Sequence, residues 1–176
     1  MHLNPFSKIL LTGLPGCGKT TSVMRILERL KGVKAAGFYT EEIREGGQRK
    51  GFLWKRLDGK EGILSGVDIK GKMRVGRYGI DVEGFERDVV PVLELSQADV
   101  ELFVVDEIGK MECMSGKFAE AMKKLLAGDR PVLATIALKG GGFISEAKKM
   151  AGIELITMTE RNREAVVEQI IKKLSQ

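Results

Sequence analysis

The sequence predicts an α/β fold in which a mainly parallel sheet, covered by helices on both faces, is extended by an antiparallel β meander. Three observations carry this. A short apolar run, Ile9–Leu11, leads through a glycine-rich turn into a helical apolar stripe. In the second half of the chain, apolar runs of strand length alternate with segments of helical period, the pattern of a parallel sheet wound on both faces. Between the two lies a stretch whose strand-like runs are separated by tight turns, too short for the crossovers that parallel strands need.

Taken in order, Ile9–Leu11 reads as a buried strand. Val23, Ile26, Leu27 and Leu30 recur at i, i+3, i+4 and i+7, one face of a helix that Gly32 stops. Ala35–Arg44 and Lys50–Leu57 read as paired strands around the turn Glu45–Gln48, and Asp58-Gly59 turns the chain into a third strand at Glu61–Leu64. Ser65–Glu86 is expected to be loop with short strands at Met73–Val75 and Ile80–Val82. A helix is expected over Val89–Ala98, with Pro91 in its first turn. Val100–Val105 is a buried strand ending in Asp106-Glu107, expected to lie beside the first. Phe118, Met122, Leu125 and Leu126 mark a helix ended by Gly128. Pro131–Ile136 is a strand, Ser145–Ala151 a short helix and Ile153–Thr157 the last strand. Val167, Ile170, Ile171 and Leu174 then line a C-terminal helix.

With 176 residues the chain is expected to form one domain spanning 1–176, large enough to bury a core without staples. No segment has the length and apolarity to span a bilayer, and no signal-like pattern opens the chain. A cytoplasmic protein is expected. Two cysteines, Cys17 and Cys113, suggest no disulfide framework and are read as ordinary small residues. The net charge of +5 is dispersed among acidic residues, so most basic side chains are read as solvated surface. Scarce Asn and Gln beside abundant Lys and Glu resemble thermophile composition.

The chemistry is concentrated in Gly13-Leu14-Pro15-Gly16-Cys17-Gly18-Lys19-Thr20, with Thr21 following, which fits G-x-x-x-x-G-K-[ST] between a strand and a helix. Glycines let the backbone turn tightly and aim successive N–H groups into a concavity at a helix N-terminus, where an anion is favoured. Lys19 adds a charge for the β- and γ-phosphates, and the Thr20 hydroxyl is a ligand for Mg²⁺. Residues 13–21 are therefore the expected nucleotide-binding loop. Asp106, at the end of an apolar strand, meets the requirement for the second nucleotide motif and is expected to hold Mg²⁺ through water opposite Thr20. Glu107 follows on the other side of the strand by alternation, placed to polarise a water for in-line attack on the γ-phosphate. Glu112 is the second candidate for that role. Asn162 and Arg163, after the last strand, are candidate base contacts, with helix capping by Thr159 or Asn162 the alternative.

The loop with its extra Thr21, Gly37–Arg44, Val75–Gly79 and above all Asp106-Glu107-Ile108-Gly109-Lys110-Met111-Glu112 resemble the thermophilic nucleoside-triphosphatase family, which includes the human cancer-related nucleoside-triphosphatase. Pro131–Ile136 and Thr157–Arg163 extend the resemblance over nearly the whole chain. It implies a three-layer, RecA-like P-loop core and slow Mg²⁺-dependent hydrolysis of ATP, GTP and other triphosphates with little choice of base. It also implies that Glu107 activates the water; Lys19, read from the loop motif, is the other expected catalytic residue. The loop Lys139–Gly142 departs from the family in its run of glycines.

Two other classes share these motifs. A small-molecule or nucleotide kinase would place its acceptor among Arg44, Arg49, Arg56, Arg74, Arg77 and Arg87, although an adjacent Asp-Glu pair suits water activation better. A nucleic-acid-dependent ATPase would use the Arg49–Lys60 stripe with Phe52 and Trp54, but the charge is small and interrupted. The expected partners are thus nucleoside triphosphates, with no nucleic acid and no membrane, bound by a monomer.

Overall fold

The computed structural model describes residues 3–94, 96 and 98–175. The strands are β1 (Lys8–Thr12), β2 (Ala35–Glu45), β3 (Gln48–Arg56), β4 (Glu61–Gly66), β5 (Arg74–Val75), β6 (Tyr78–Ile80), β7 (Leu102–Ile108), β8 (Val132–Ile136) and β9 (Ile153–Thr157). The helices are α1 (Lys19–Arg29), α2 (Val82–Asp88), α3 (Gly116–Ala127), α4 (Phe143–Ala147) and α5 (Arg163–Leu174). All nine strands join one sheet in the order β5-β6-β4-β3-β2-β7-β8-β1-β9. Pairs from β2 to β9 are parallel, and those from β2 outward to β5 are antiparallel.

Alternation along the parallel strands builds two cores. Ile9 and Leu11 of β1, Leu102 and Val104 of β7 and Leu133 of β8 face α1 and α5. Leu10, Phe103, Val105, Val132, Ala134 and Ile136 face the opposite layer of α2, α3 and α4. A strand covered on both faces is apolar at nearly every position, which is why these runs show no polar alternation. On the second face Phe38 of β2, Phe85 of α2 and Phe118 of α3 form a fully buried cluster, with ring centroids 5.4, 6.0 and 5.5 Å apart. That cluster ties the first meander strand to the helical layer.

The β2–β3 hairpin pairs Glu45 with Gln48. Its two connecting glycines have φ of +55° and +78°, the left-handed pair that a tight hairpin turn requires. The region after Gly66 differs from expectation. The short strands are Arg74–Val75 and Tyr78–Ile80, and Val82 begins a helix instead of ending a strand. Asp81 caps α2 by accepting from the Gly84 N–H at 2.9 Å, and Phe85 and Val89 are the buried residues one turn apart. A helix this short offers one apolar repeat, and Gly84 weakens its propensity. The helix expected over Val89–Ala98 is a single 3-10 turn, Val90–Leu93, held around Pro91; Leu95 and Gln97 lie outside the described residues. The short helix expected at Ser145–Ala151 runs earlier, over Phe143–Ala147.

Candidate active site

The carboxyl ends of the parallel strands, where the strand order reverses, are where ligands bind in open α/β sheets. There β1 ends in Thr12 and the glycine-rich loop begins. Gly16 and Gly18 have φ of +80° and +96°, and Gly18 is the N-cap of α1. A Cβ at Gly13 would strike the Met158 carbonyl and come within 2.9 Å of the Cys17 sulfur, so the first glycine lets β1 and the β9 loop approach. Lys19 folds back over the loop, donating to the carbonyls of Gly13 and Leu14 at 3.1 and 3.2 Å.

Asp106 is buried near the end of β7. It accepts from the Thr20 hydroxyl at 2.6 Å and from the Thr135 hydroxyl. β7 is not adjacent to β1 as expected: β8 lies between them, and Thr135 of that strand bridges the gap. Thr135 escaped sequence reasoning, because one hydroxyl in an apolar run has no signal of its own. Burial raises the Asp106 carboxyl above its ordinary range, while Thr135, Thr20 and the charge of Lys19 act in the opposite sense.

Asp106 and Glu107 both line one cleft at the end of β7. The ladder between β7 and β8 shifts register between Val105 and Ile108, the stretch that holds both carboxylates. Burial and then the neighbouring Asp106 push the Glu107 carboxyl up, against the pull of Lys19. Glu112 is buried in the turn after β7, and burial plus Glu107 push its carboxyl up to about 8. The two glutamates flank Gly109, where an added Cβ would lie 2.6 Å from Glu112 Oε2 and 2.9 Å from Glu107 Oε1. Burial also pushes the Cys113 thiol up to about 12, which leaves it protonated and unreactive. Cys17 is buried in the loop, and both cysteines are free.

Three cavities meet at the loop. The first, about 470 Å³, is lined by Pro15, Gly16, Gly18, Lys19, Thr20, Thr21, Asp106 and Glu107, and across from them by Thr40, Glu42, Arg49 and Phe52 of the meander. A second, about 400 Å³, has Glu107, Lys19, Leu138 and Lys139 in its walls. The third, about 520 Å³, runs along Gly13–Pro15, Cys17 and Leu138 to the segment Thr157–Arg161. Asn162 anchors that segment: its side chain accepts from the Thr159 N–H at 2.7 Å and donates to the Thr157 carbonyl at 3.0 Å. It stands at the N-cap of α5 without a side-chain capping bond. Arg163 packs on the loop, where a Cβ at Gly18 would come within 3.0 Å of its Cδ. Thr159, read from the sequence only as a possible helix cap, lines the third cavity with Glu160 and Arg161, which the sequence did not single out.

Among the described residues no helix is long and apolar enough to cross a membrane, and no cluster of three or more His, Cys, Asp or Glu could cage a metal. The candidate metal donors are the paired oxygens of Thr20 and Asp106, hard ligands of the kind Mg²⁺ prefers.

A buried strand, a phosphate loop capping a helix and a buried aspartate bonded to the loop threonine define a P-loop nucleotide-binding protein of the α/β class. The sequence model of the family described as NTPase matches residues 8–171, and the chain belongs to that family. It is 41% identical over 164 residues to the nucleoside-triphosphatase THEP1 of Thermotoga petrophila, covering 93% of this chain and 90% of the relative. The crystal structure of THEP1 from the hyperthermophile Aquifex aeolicus superposes with a TM-score of 0.86 at 36% identity, covering 96% of this chain and 99% of that one. The solution structure of a human cancer-related nucleoside triphosphatase gives a TM-score of 0.75 at 35% identity, over 94% and 96% of the two chains.

Proposed function

We propose that this chain, working over residues 1–176 as a single domain and a cytoplasmic monomer, hydrolyses nucleoside triphosphates to the diphosphate and phosphate. The observation that carries the reading is the convergence of Lys19, the Thr20–Asp106 pair and Glu107 on one cleft. The loop carbonyls that hold Lys19 are exchanged for the β- and γ-phosphate oxygens, which are stronger acceptors. The Thr20 hydroxyl and the Asp106 carboxylate fit Mg²⁺, which would neutralise charge on the phosphates, and Thr135 fixes the carboxylate for that task. Glu107 orients a water in line with the γ-phosphorus and takes its proton as the bond to the leaving diphosphate breaks. Its raised pKa brings it closer to neutrality, as a general base requires. Glu107 lines the clefts on both sides of Lys19 and Glu112 lines neither, which favours Glu107 as the base.

The base of the nucleotide occupies the cavity along Thr157–Arg161, with Asn162 holding that wall and Arg163 bracing the loop. The test is phosphate release from ATP, GTP, CTP and UTP with Mg²⁺ titrated in, without nucleic acid or a phosphate acceptor. Release under those conditions supports the reading, and a strict requirement for either additive overturns it.

A further inference from the structure

Beyond its last parallel pair with β7, Tyr39 opposite Asp106, β2 continues to Glu45 with β3 alongside. This projection overhangs the phosphate loop and brings Arg49 into the wall of the same cleft as Lys19 and Glu107. Other arginines of the meander are engaged elsewhere. Arg56 binds Asp58 and the Asp88 carbonyl, Arg74 binds two backbone carbonyls, and Arg77 binds the Arg49 carbonyl and the Tyr78 hydroxyl. Arg49 and Lys19 are the basic side chains lining this cleft.

We propose that Arg49 is a catalytic residue that contacts the transferring phosphoryl group, a charge supplied from the meander within the same chain. The inference rests on the hydrolysis reading above. Its guanidinium carbon lies 5.3 Å from the Phe52 ring centre and 5.9 Å from that of Tyr78, and its Nε donates to the Tyr78 hydroxyl at 3.1 Å. Nη1 donates to Glu42 at 2.9 Å, while Nη2 has no protein partner among the described residues. The Glu42 pair is half-exposed and therefore weak. Arg44 holds the other Glu42 oxygen at 2.7 Å, so Glu42 keeps a cation when Arg49 turns to the phosphate. The need is electrostatic. As water attacks and the diphosphate leaves, charge spreads over the equatorial phosphoryl oxygens. Lys19 approaches these from the loop, and Arg49 from the opposite wall.

The experiment measures kcat, affinity for a non-hydrolysable triphosphate, and trapping of the diphosphate with aluminium fluoride. It compares the wild type, Arg49→Ala and Arg49→Lys, with free guanidinium added to each. Arg49→Ala should lower kcat by about 10²–10³-fold, the usual cost of losing one preorganised donor, with affinity for the analogue within about threefold of wild type. It should also lose the aluminium fluoride complex and regain part of its rate with guanidinium. Arg49→Lys, which keeps the charge and the fold, should recover less than half of the lost logarithmic rate because it cannot bridge two oxygens. A wild-type kcat in Arg49→Ala, or a loss that tracks analogue affinity and ignores guanidinium, overturns the assignment. An inactive wild type would instead overturn the hydrolysis reading itself.

Discussion

Glu107 and Glu112 share the space around Gly109, yet their surroundings assign them different work. Glu107 faces the clefts and Glu112 is sealed beneath them. Glu107→Gln keeps the size and one oxygen but loses the charge that, in the proposed hydrolysis, polarises water, so kcat should fall by about 10²–10⁴-fold. Nucleotide Kd should stay near wild type, the signature of an interaction made in the transition state. Glu112→Gln should lose far less in single-turnover hydrolysis; the reverse order would move the base to Glu112. Glu112 should show itself in stability instead. Its carboxyl has an ordinary value of 4.5 and sits at about 8 in the fold, so the folded state holds a proton that the unfolded state releases. Stability is then fully present below about pH 4.5 and is lost as the pH rises through 8, at about 1.4 kcal/mol per pH unit. Urea unfolding without nucleotide or Mg²⁺, at several pH values between 5 and 9, should show Glu112→Gln losing less than the wild type across that window. Parallel curves for the two proteins would contradict a neutral buried Glu112.

The meander and α2 act as one element, because Phe85 joins Phe38 and Phe118 in the cluster beneath β2. Phe85→Ala should cost about 3–5 kcal/mol, the range for emptying a buried aromatic site, read as a lower urea midpoint with an unchanged slope. A cost below about 1 kcal/mol would mean that α2 does not anchor the sheet extension. This helix is also where the sequence was least legible. The parallel strands announced themselves because burial on both faces demands largely apolar runs, as in Leu102–Val105 and Val132–Ala134. The phosphate loop was legible because its chemistry fixes residue types at fixed spacing. By contrast, α2 has one apolar repeat, a glycine inside it and a cap at Asp81 that reads equally as a turn. Thr135 was illegible as a partner of the site, and Arg49 indistinguishable from the other arginines of the meander, for a different reason. Their roles depend on which strands become neighbours, and strand order is a long-range outcome that local pattern does not encode. Asn162 stood out in the sequence as a candidate base contact or helix cap, and its bonds to Thr157 and Thr159 emerge only from the loop geometry.

At the scale of the whole molecule, nucleotide would join parts that the sheet order holds together but the sequence keeps far apart: residues 13–21, Asp106 and Glu107, and Thr157–Arg163. Ligand that binds only the folded state stabilises it by mass action, about 2.7 kcal/mol at a hundred times Kd. For a chain of this size that is a rise in Tm of roughly 5–10 °C. The rise should be nearly the same for ATP, GTP, CTP and UTP at equal saturation. The cavity beside the loop offers the exposed apolar faces of Leu14 and Leu138, 67% and 38% accessible, together with the open segment Thr157–Arg161. Apolar faces accept any ring. A base edge left toward water also buries no polar group whose partner a wrong base would lack, and such lost partners are the main source of strong discrimination. Most of the affinity should therefore come from the phosphates. Lys19→Ala should abolish the shift for every triphosphate, while exchanging the base should change kcat/KM by less than tenfold, about 1.4 kcal/mol. A tenfold or greater preference between ATP and CTP, with matching differences in thermal shift, would require base-specific bonds in the Thr157–Arg163 segment and would overturn the permissive site.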